Sequence, residues 1–244
     1  VSNNNLDADL FVITGDLTHH GRLKSYEKFS EILREAKLPK HLSPKLIIGN
    51  HEIMNLLGDF RYASKEDIRK QGGVEKRKQL FSPGSKIFCK MACTRHVVLK
   101  VGNFLFCHAG VIPEHIENED EFIKKINNLM KLYLRGEKDI EDREIKKYFI
   151  DKQGIIWNRS YGVENPRCDN LDKVTKKLKV GHMVIGHTIQ ENINSKCDNK
   201  LWRVDVGMSD AFGENNKVQV LEILNDGVSQ PINLFNPFRI TDVN

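Results

Sequence analysis

Four apolar runs in this chain each stop at a small residue and then present a side chain able to ligate a metal. They are "LFVITGD" (Leu10–Asp16), "LIIGNHE" (Leu46–Glu52), "NFLFCHAG" (Asn103–Gly110) and "HMVIGHT" (His182–Thr188). Short apolar runs bounded by turn residues read as buried strands. In layered α/β sheets, ligands bind beyond the carboxyl ends of such strands. Small residues at those ends let the chain turn and let backbone approach a bound group. Asp16, Asn50, His108 and His187 would therefore converge as two oxygen and two nitrogen donors. A mixed oxygen and imidazole set suits Mn, Fe or Zn and does not suit Ca or Mg alone. Any one of the four, taken singly, is an ordinary turn or helix cap. Their repetition is what limits the architecture. His182 competes with His187 for the fourth place. The two are five residues apart, and an odd separation along a strand points side chains to opposite faces. His187 follows the apolar run and is the expected ligand. His41, His96 and His115 read as surface or strand-flank residues.

The rest of the chain reads as a framework for those ends. Further strands are expected at His96–Val101, Leu201–Val206 and Val218–Ile223. Helices are expected at Lys24–Ala36, Lys65–Leu80, Ser85–Met91, Pro113–Arg135, Glu141–Phe149 and Leu171–Leu178, with a break near Asn127–Asn128 in the fourth. Strands and helices alternate early and short strands crowd the end, so the fold class is α/β, a layered sandwich of mixed β-sheets flanked by helices. No Pro- or Gly-rich linker divides residues 1–244, and a single domain is expected.

Charge and cysteine content narrow the function. Lys and Arg exceed Asp and Glu by 38 to 33, and the basic residues occur in short groups such as "EKRK" and "KKLK". That is a solvated surface, with no nucleic-acid partner expected. The apolar runs are far too short to cross a bilayer, and the opening "VSNNNLDADL" is unlike a signal peptide. A cytoplasmic protein with no membrane partner is expected. Five cysteines, an odd number with no Cys-x-x-Cys pair, read as free thiols in a reducing compartment.

Taken in order, "GD…G", "GNHE", "CHAG" and "GHT" resemble the calcineurin-like metallophosphoesterases. The longer strings "GNHEIMNLLGDFRYAS", "IIWNRSYG" and "VDVGMSDAFG" are similar to the Shewanella-like branch of the phosphoprotein phosphatases. The resemblance implies a hydrolase, a metal-dependent phosphatase acting on phosphomonoesters, such as phosphoprotein. In that family two divalent metals, about 3.5–4 Å apart, hold phosphate and a nucleophilic water for in-line attack. By the resemblance, Asp16 bridges the metals, and Asn50, His108 and His187 complete the second. His51 protonates the leaving oxygen, and Arg159 grips phosphate oxygens with a fork suited to oxyanions.

Two departures from the family pattern alter those expectations. The family's first strand ends in Asp-x-His-Gly and supplies the other ligands of the first metal. Only 15 residues precede Asp16 here and none matches, so the chain is expected to lack its N-terminal first-motif strand and to complete one metal site. The second motif, usually Gly-Asp-x-x-Asp-Arg-Gly, reads "GDLTHHG". His19 replaces the Asp that orients the acid His, and His20 replaces an Arg that binds phosphate. A cationic His20 retains a phosphate contact only at low pH. Losing one preorganised charge contact costs ~10²–10³ in rate. An enzyme of reduced activity is expected. The alternatives are a pseudophosphatase that binds phosphate or a partner without turnover, and a phosphodiesterase on the same fold.

Overall fold

The computed structural model describes residues 10–17, 31, 44–208, 218–224 and 229–233. The expected helix Lys24–Ala36, apart from residue 31, lies outside them, as do His19, His20 and His41 and the part of "VDVGMSDAFG" after Met208.

Ten strands are described, and they form three sheets. Strands β1 (Val12–Ile13), β2 (Lys45–Ile47) and β3 (Arg95–His96) lie parallel in that order. A five-stranded sheet runs β4 (Val98–Val101), β5 (Phe104–Cys107), β6 (His182–Ile185), β8 (Leu201–Arg203), β7 (Asn194–Lys196). In it β5, β6 and β8 are mutually parallel, and the two edges are antiparallel. Strands β9 (Gln219–Ile223) and β10 (Ser229–Asn233) pair antiparallel.

Side-chain alternation explains the layering. Leu105, Cys107, Met183, Ile185 and Leu201 face the larger core, built with the helices. Their neighbours Phe104, Phe106, Val184 and Trp202 face a second core that includes Ile47 of β2 and is flanked by Val12 of β1 and Leu221 and Ile223 of β9. One face of the five-stranded sheet is thus covered by helices and the other by strands, which is the expected layered sandwich.

Several boundaries differ from the sequence reading. The expected strand His96–Val101 is two, because buried Val97 carries the chain from one sheet to the other. The helix expected over Lys65–Leu80 is divided into Lys65–Lys70 and Val74–Leu80, since Gly72 and Gly73 take φ of 89° and 96°, a region open to glycine. The long helix breaks upstream of Asn127: a 3₁₀ turn at Pro113–His115 precedes a helix over Phe122–Leu134. Asn127 continues that helix and binds the sheet junction instead, its Oδ1 accepting from the Val97 and Val98 amides at 2.7 and 3.2 Å.

Two residue readings are also corrected. His115 is buried at 3% exposure, its Nε2 donating to the Gln153 carbonyl at 2.8 Å. Cys168 and Cys197 form a disulfide, with Cα atoms 5.4 Å apart. Helix Cys168–Leu178 starts beside the turn between β7 and β8, an adjacency that a separation of 29 residues does not advertise. Cys89, Cys93 and Cys107 are free thiols. Among the described residues, no helix is long and apolar enough to cross a membrane.

Candidate metal centre

The parallel strands β1, β2, β5 and β6 deliver their carboxyl ends to one place. Asp16 leaves β1 with a φ of 56°, an uncommon left-handed turn that needs support. Buried Glu52 supplies it. One carboxylate oxygen accepts from the amides of Gly49 at 2.7 Å and Asp16 at 3.2 Å, tying the end of β1 to the end of β2. Gly49 is required there, because a Cβ would lie 2.1 Å from Asp16 Oδ1. Beyond Gly49 the chain forms helix Asn50–Leu56. Asn50 and His51 begin that helix.

His108 lies at the centre, only 2% exposed. Its Nδ1 donates to the Thr14 carbonyl at 2.7 Å, so Nε2 faces the site. Around that one atom stand Asn50 Oδ1 at 2.9 Å, His187 Nδ1 at 3.2 Å and Asp16 Oδ2 at 3.3 Å. His187 is oriented likewise: its Nε2 donates to the Trp157 carbonyl at 3.1 Å, leaving the Nδ1 lone pair inward. Asn50 turns its amide nitrogen to Met54 sulfur and its oxygen inward.

Three acceptors crowd one ring nitrogen, and a single N–H cannot serve all three well. A cation can. The donor atoms of Asp16, His108 and His187 lie within 4.8 Å of one another, and Asn50 adds a fourth. The electrostatics fit the same reading. Burial works to lower the pKa of His108, but Asp16, Glu52 and the Thr14 hydrogen bond outweigh it and raise the pKa to about 9. A field that holds a proton at Nε2 is one that holds a divalent cation. His187 is driven down to about 3 by burial, His108 and Arg159, which keeps its lone pair free. Asp16, although burial opposes it, stays well below the carboxylate range through His108 and His51.

The other expected residues flank this cluster. His51 donates its backbone N–H to Asp16 Oδ1 at 3.1 Å, and its Nε2 lies 3.9 Å from Asp16 Oδ2. Arg159 is exposed on the loop that carries Trp157, and its Nη1 donates to Thr188 Oγ1 at 3.3 Å. That loop is sewn to the His108 turn: Gly110 donates to the Ile155 carbonyl at 3.1 Å, and Asn158 donates to that of Gly110 at 2.7 Å. His182 points elsewhere, stacking on Phe104 with centroids 4.5 Å apart.

Sequence reasoning missed one neighbour of the centre. Strand β8 ends at Arg203, paired with Ile185, and two residues on Asp205 lies within reach of the charges of His108, Asp16 and His51. One Asp205 oxygen accepts from the Gly207 amide at 3.0 Å, and burial pushes its carboxyl up despite the charges of His108 and His51. The string "VDVG" carries its signal, hidden inside the apolar run Leu201–Val206 expected as strand.

Comparison with known proteins agrees with this geometry. The profile of the family described as calcineurin-like phosphoesterase matches residues 2–191. Uncharacterized protein R398 of Acanthamoeba polyphaga mimivirus is 36% identical over 221 residues, covering 74% of this chain and 88% of that protein. Shewanella-like protein phosphatase 2 of Arabidopsis thaliana is 26% identical over an alignment of 268 positions, gaps included, that covers 89% of this chain and 66% of that protein's length. A cold-active protein-tyrosine phosphatase of a psychrophilic Shewanella species shares the fold, with TM-score 0.71 and 23% identity over 91% of this chain and 69% of that one.

Proposed function

Because the chain belongs to the calcineurin-like phosphoesterase family, we propose that it is a metal-dependent phosphatase that hydrolyses phosphomonoesters, on phosphoprotein or small molecules. The observation that carries this reading is the convergence of Asn50, His187 and Asp16 on His108 Nε2. Asp16, Asn50, His108 and His187 would hold a divalent cation of the Mn, Fe or Zn type. Such a cation supplies Lewis acidity to phosphoryl oxygens and makes a nucleophile from water near neutral pH.

The chain's own residues do the rest. Arg159 binds the non-bridging oxygens and orients the ester. Its reach over the site is reflected in its effect on His187. His51 delivers a proton to the leaving oxygen, its ring set beside Asp16 on the first turn of a helix. His20, by its place in "GDLTHHG", adds a phosphate contact when protonated.

The test is hydrolysis of an aryl phosphomonoester and of the matching diester by the chain supplied with Mn. The expected result is Mn-dependent release from the monoester that falls by ~10² or more in His51→Ala. Preference for the diester would move the reading to a phosphodiesterase. Metal binding without turnover on either ester would move it to a pseudophosphatase.

A further inference from the structure

Helix Val74–Leu80 docks in an unusual way. It buries no apolar side chain, and its one buried residue is Arg77, which is fully enclosed at 0% exposure. A guanidinium taken from water is costly unless its donors are used. Here they are. Nη1 donates to Gln71 Oε1 at 2.6 Å and Nη2 to Asn55 Oδ1 at 2.6 Å. The guanidinium carbon also lies 5.0 Å from the centre of the Phe60 ring and 4.7 Å from that of Phe81, which suits a cation on aromatic faces.

Two of these contacts, to Asn55 and Phe60, lead to His51. Asn55, with its oxygen committed to Arg77, donates Nδ2 to the carbonyl of His51 at 2.8 Å. Phe60 is the foot of the loop that follows helix Asn50–Leu56. In that loop Asp59 donates its amide to the Met54 carbonyl at 2.9 Å and Ala63 donates to that of Phe60 at 2.9 Å. Arg61 is drawn aside by Asp59, Nη2 to Oδ2 at 2.7 Å. Between them, Tyr62 places its ring 5.2 Å from the His51 ring. Backbone and ring of His51 are thus approached from the same buried cation.

We propose that Arg77 is a positioning residue for His51, acting on its backbone through Asn55 and on its ring through the Phe60–Tyr62 loop. The sequence supplies a motive. Position 19, where the family resemblance calls for a carboxylate to orient this imidazole, is His19. The neighbouring helix and loop take over that orienting work. This inference rests on the reading of His51 as proton donor.

A proton donor matters most when the leaving group is poor. The experiment compares 4-nitrophenyl phosphate with phenyl phosphate in the chain supplied with Mn. His51→Ala sets the scale, with an expected extra loss on phenyl phosphate of ~10². Asn55→Asp keeps an acceptor for Arg77 and removes the donor to His51. Phe60→Leu loosens the loop and leaves the helix bonds intact. We expect the phenyl to nitrophenyl ratio to fall about 10-fold in the first and about 3-fold in the second, as a small misplacement of a reacting group would give. If the contacts of Arg77 are purely structural, Asn55→Asp and Phe60→Leu lower the melting temperature and leave the ratio unchanged, which overturns the proposal. Phe60→Leu decides the matter should Asn55→Asp not fold. If His51→Ala itself leaves the ratio unchanged, His51 is not the proton donor and the proposal falls with that assignment. An inactive parent chain would instead overturn the proposed function.

Discussion

The two sides of the candidate site are built differently. The donors Asp16, His108 and His187 stand at strand ends, and the rings of both histidines are oriented by backbone carbonyls, those of Thr14 and Trp157. His51 and Arg159 stand on a helix and an exposed loop, and the groups that hold them are side chains: Asn55 for one, Thr188 for the other. Backbone partners come with the fold of the chain and are not lost by substitution of their side chains. Side-chain partners can be changed one at a time. The cation side should therefore be all-or-none, and the substrate side adjustable.

Asp16→Asn probes the all-or-none side and carries the largest expected effect. It removes the charge that recruits positive charge to His108. Activity should fall by ~10³ or more, at the upper end of what one preorganised charge supplies, and elemental analysis should show metal lost with it. Retained metal would break the contrast. Arg159→Met probes the other side. A loss of ~10² in kcat/KM is expected, with metal content unchanged. A drop in metal would mean that the two sides are one unit.

Acid stability separates the fold from both. Burial lowers the pKa of His115 to about 4, against its usual 6.5. Above the unfolded value neither state binds the proton, and stability is insensitive to this group. Below it the unfolded chain takes a proton that the fold refuses, so stability declines from about pH 6.5 to about pH 4. By linkage the loss at pH 5 is roughly 2 kcal/mol. Urea unfolding at pH 7 and pH 5 should show it, and His115→Gln should flatten the difference. The smallest effect is expected at Glu52→Gln. It keeps one acceptor for the Gly49 and Asp16 amides but loses the charge, for roughly 1 kcal/mol of stability and up to about 10-fold in metal affinity, read by titration with Mn. A loss as large as that of Asp16→Asn would make Glu52 part of the cation side proper.

The same contrast governs what the sequence discloses. Strand ends are local events, so the runs ending in Asp16, Asn50, His108 and His187 could be read directly, and with them the layered α/β class. The supports are not local. Arg77 meets Asn55 across 22 residues, and nothing in "VEKRKQL" separates it from the exposed lysines beside it. Asp205 is masked by an apolar pattern that runs three residues past the end of its strand. Cys168 and Cys197 needed the packing of a helix on a hairpin turn. His115 reads in sequence as a surface or strand-flank residue, yet its ring turns inward, accepting from the Ile112 amide and donating to the Gln153 carbonyl.

The passage of the chain through Val97 also bears on how the donors are spaced. Asp16 and Asn50 belong to one sheet, His108 and His187 to the other, so the span between donors is a distance between sheets. That distance is held where a single buried residue joins β3 to β4 and Asn127 binds the backbone on both sides of it. A junction of one residue has almost no slack. The spacing of the four candidate donors therefore follows from how the two sheets are joined, and a substitution at the junction would move all of them together.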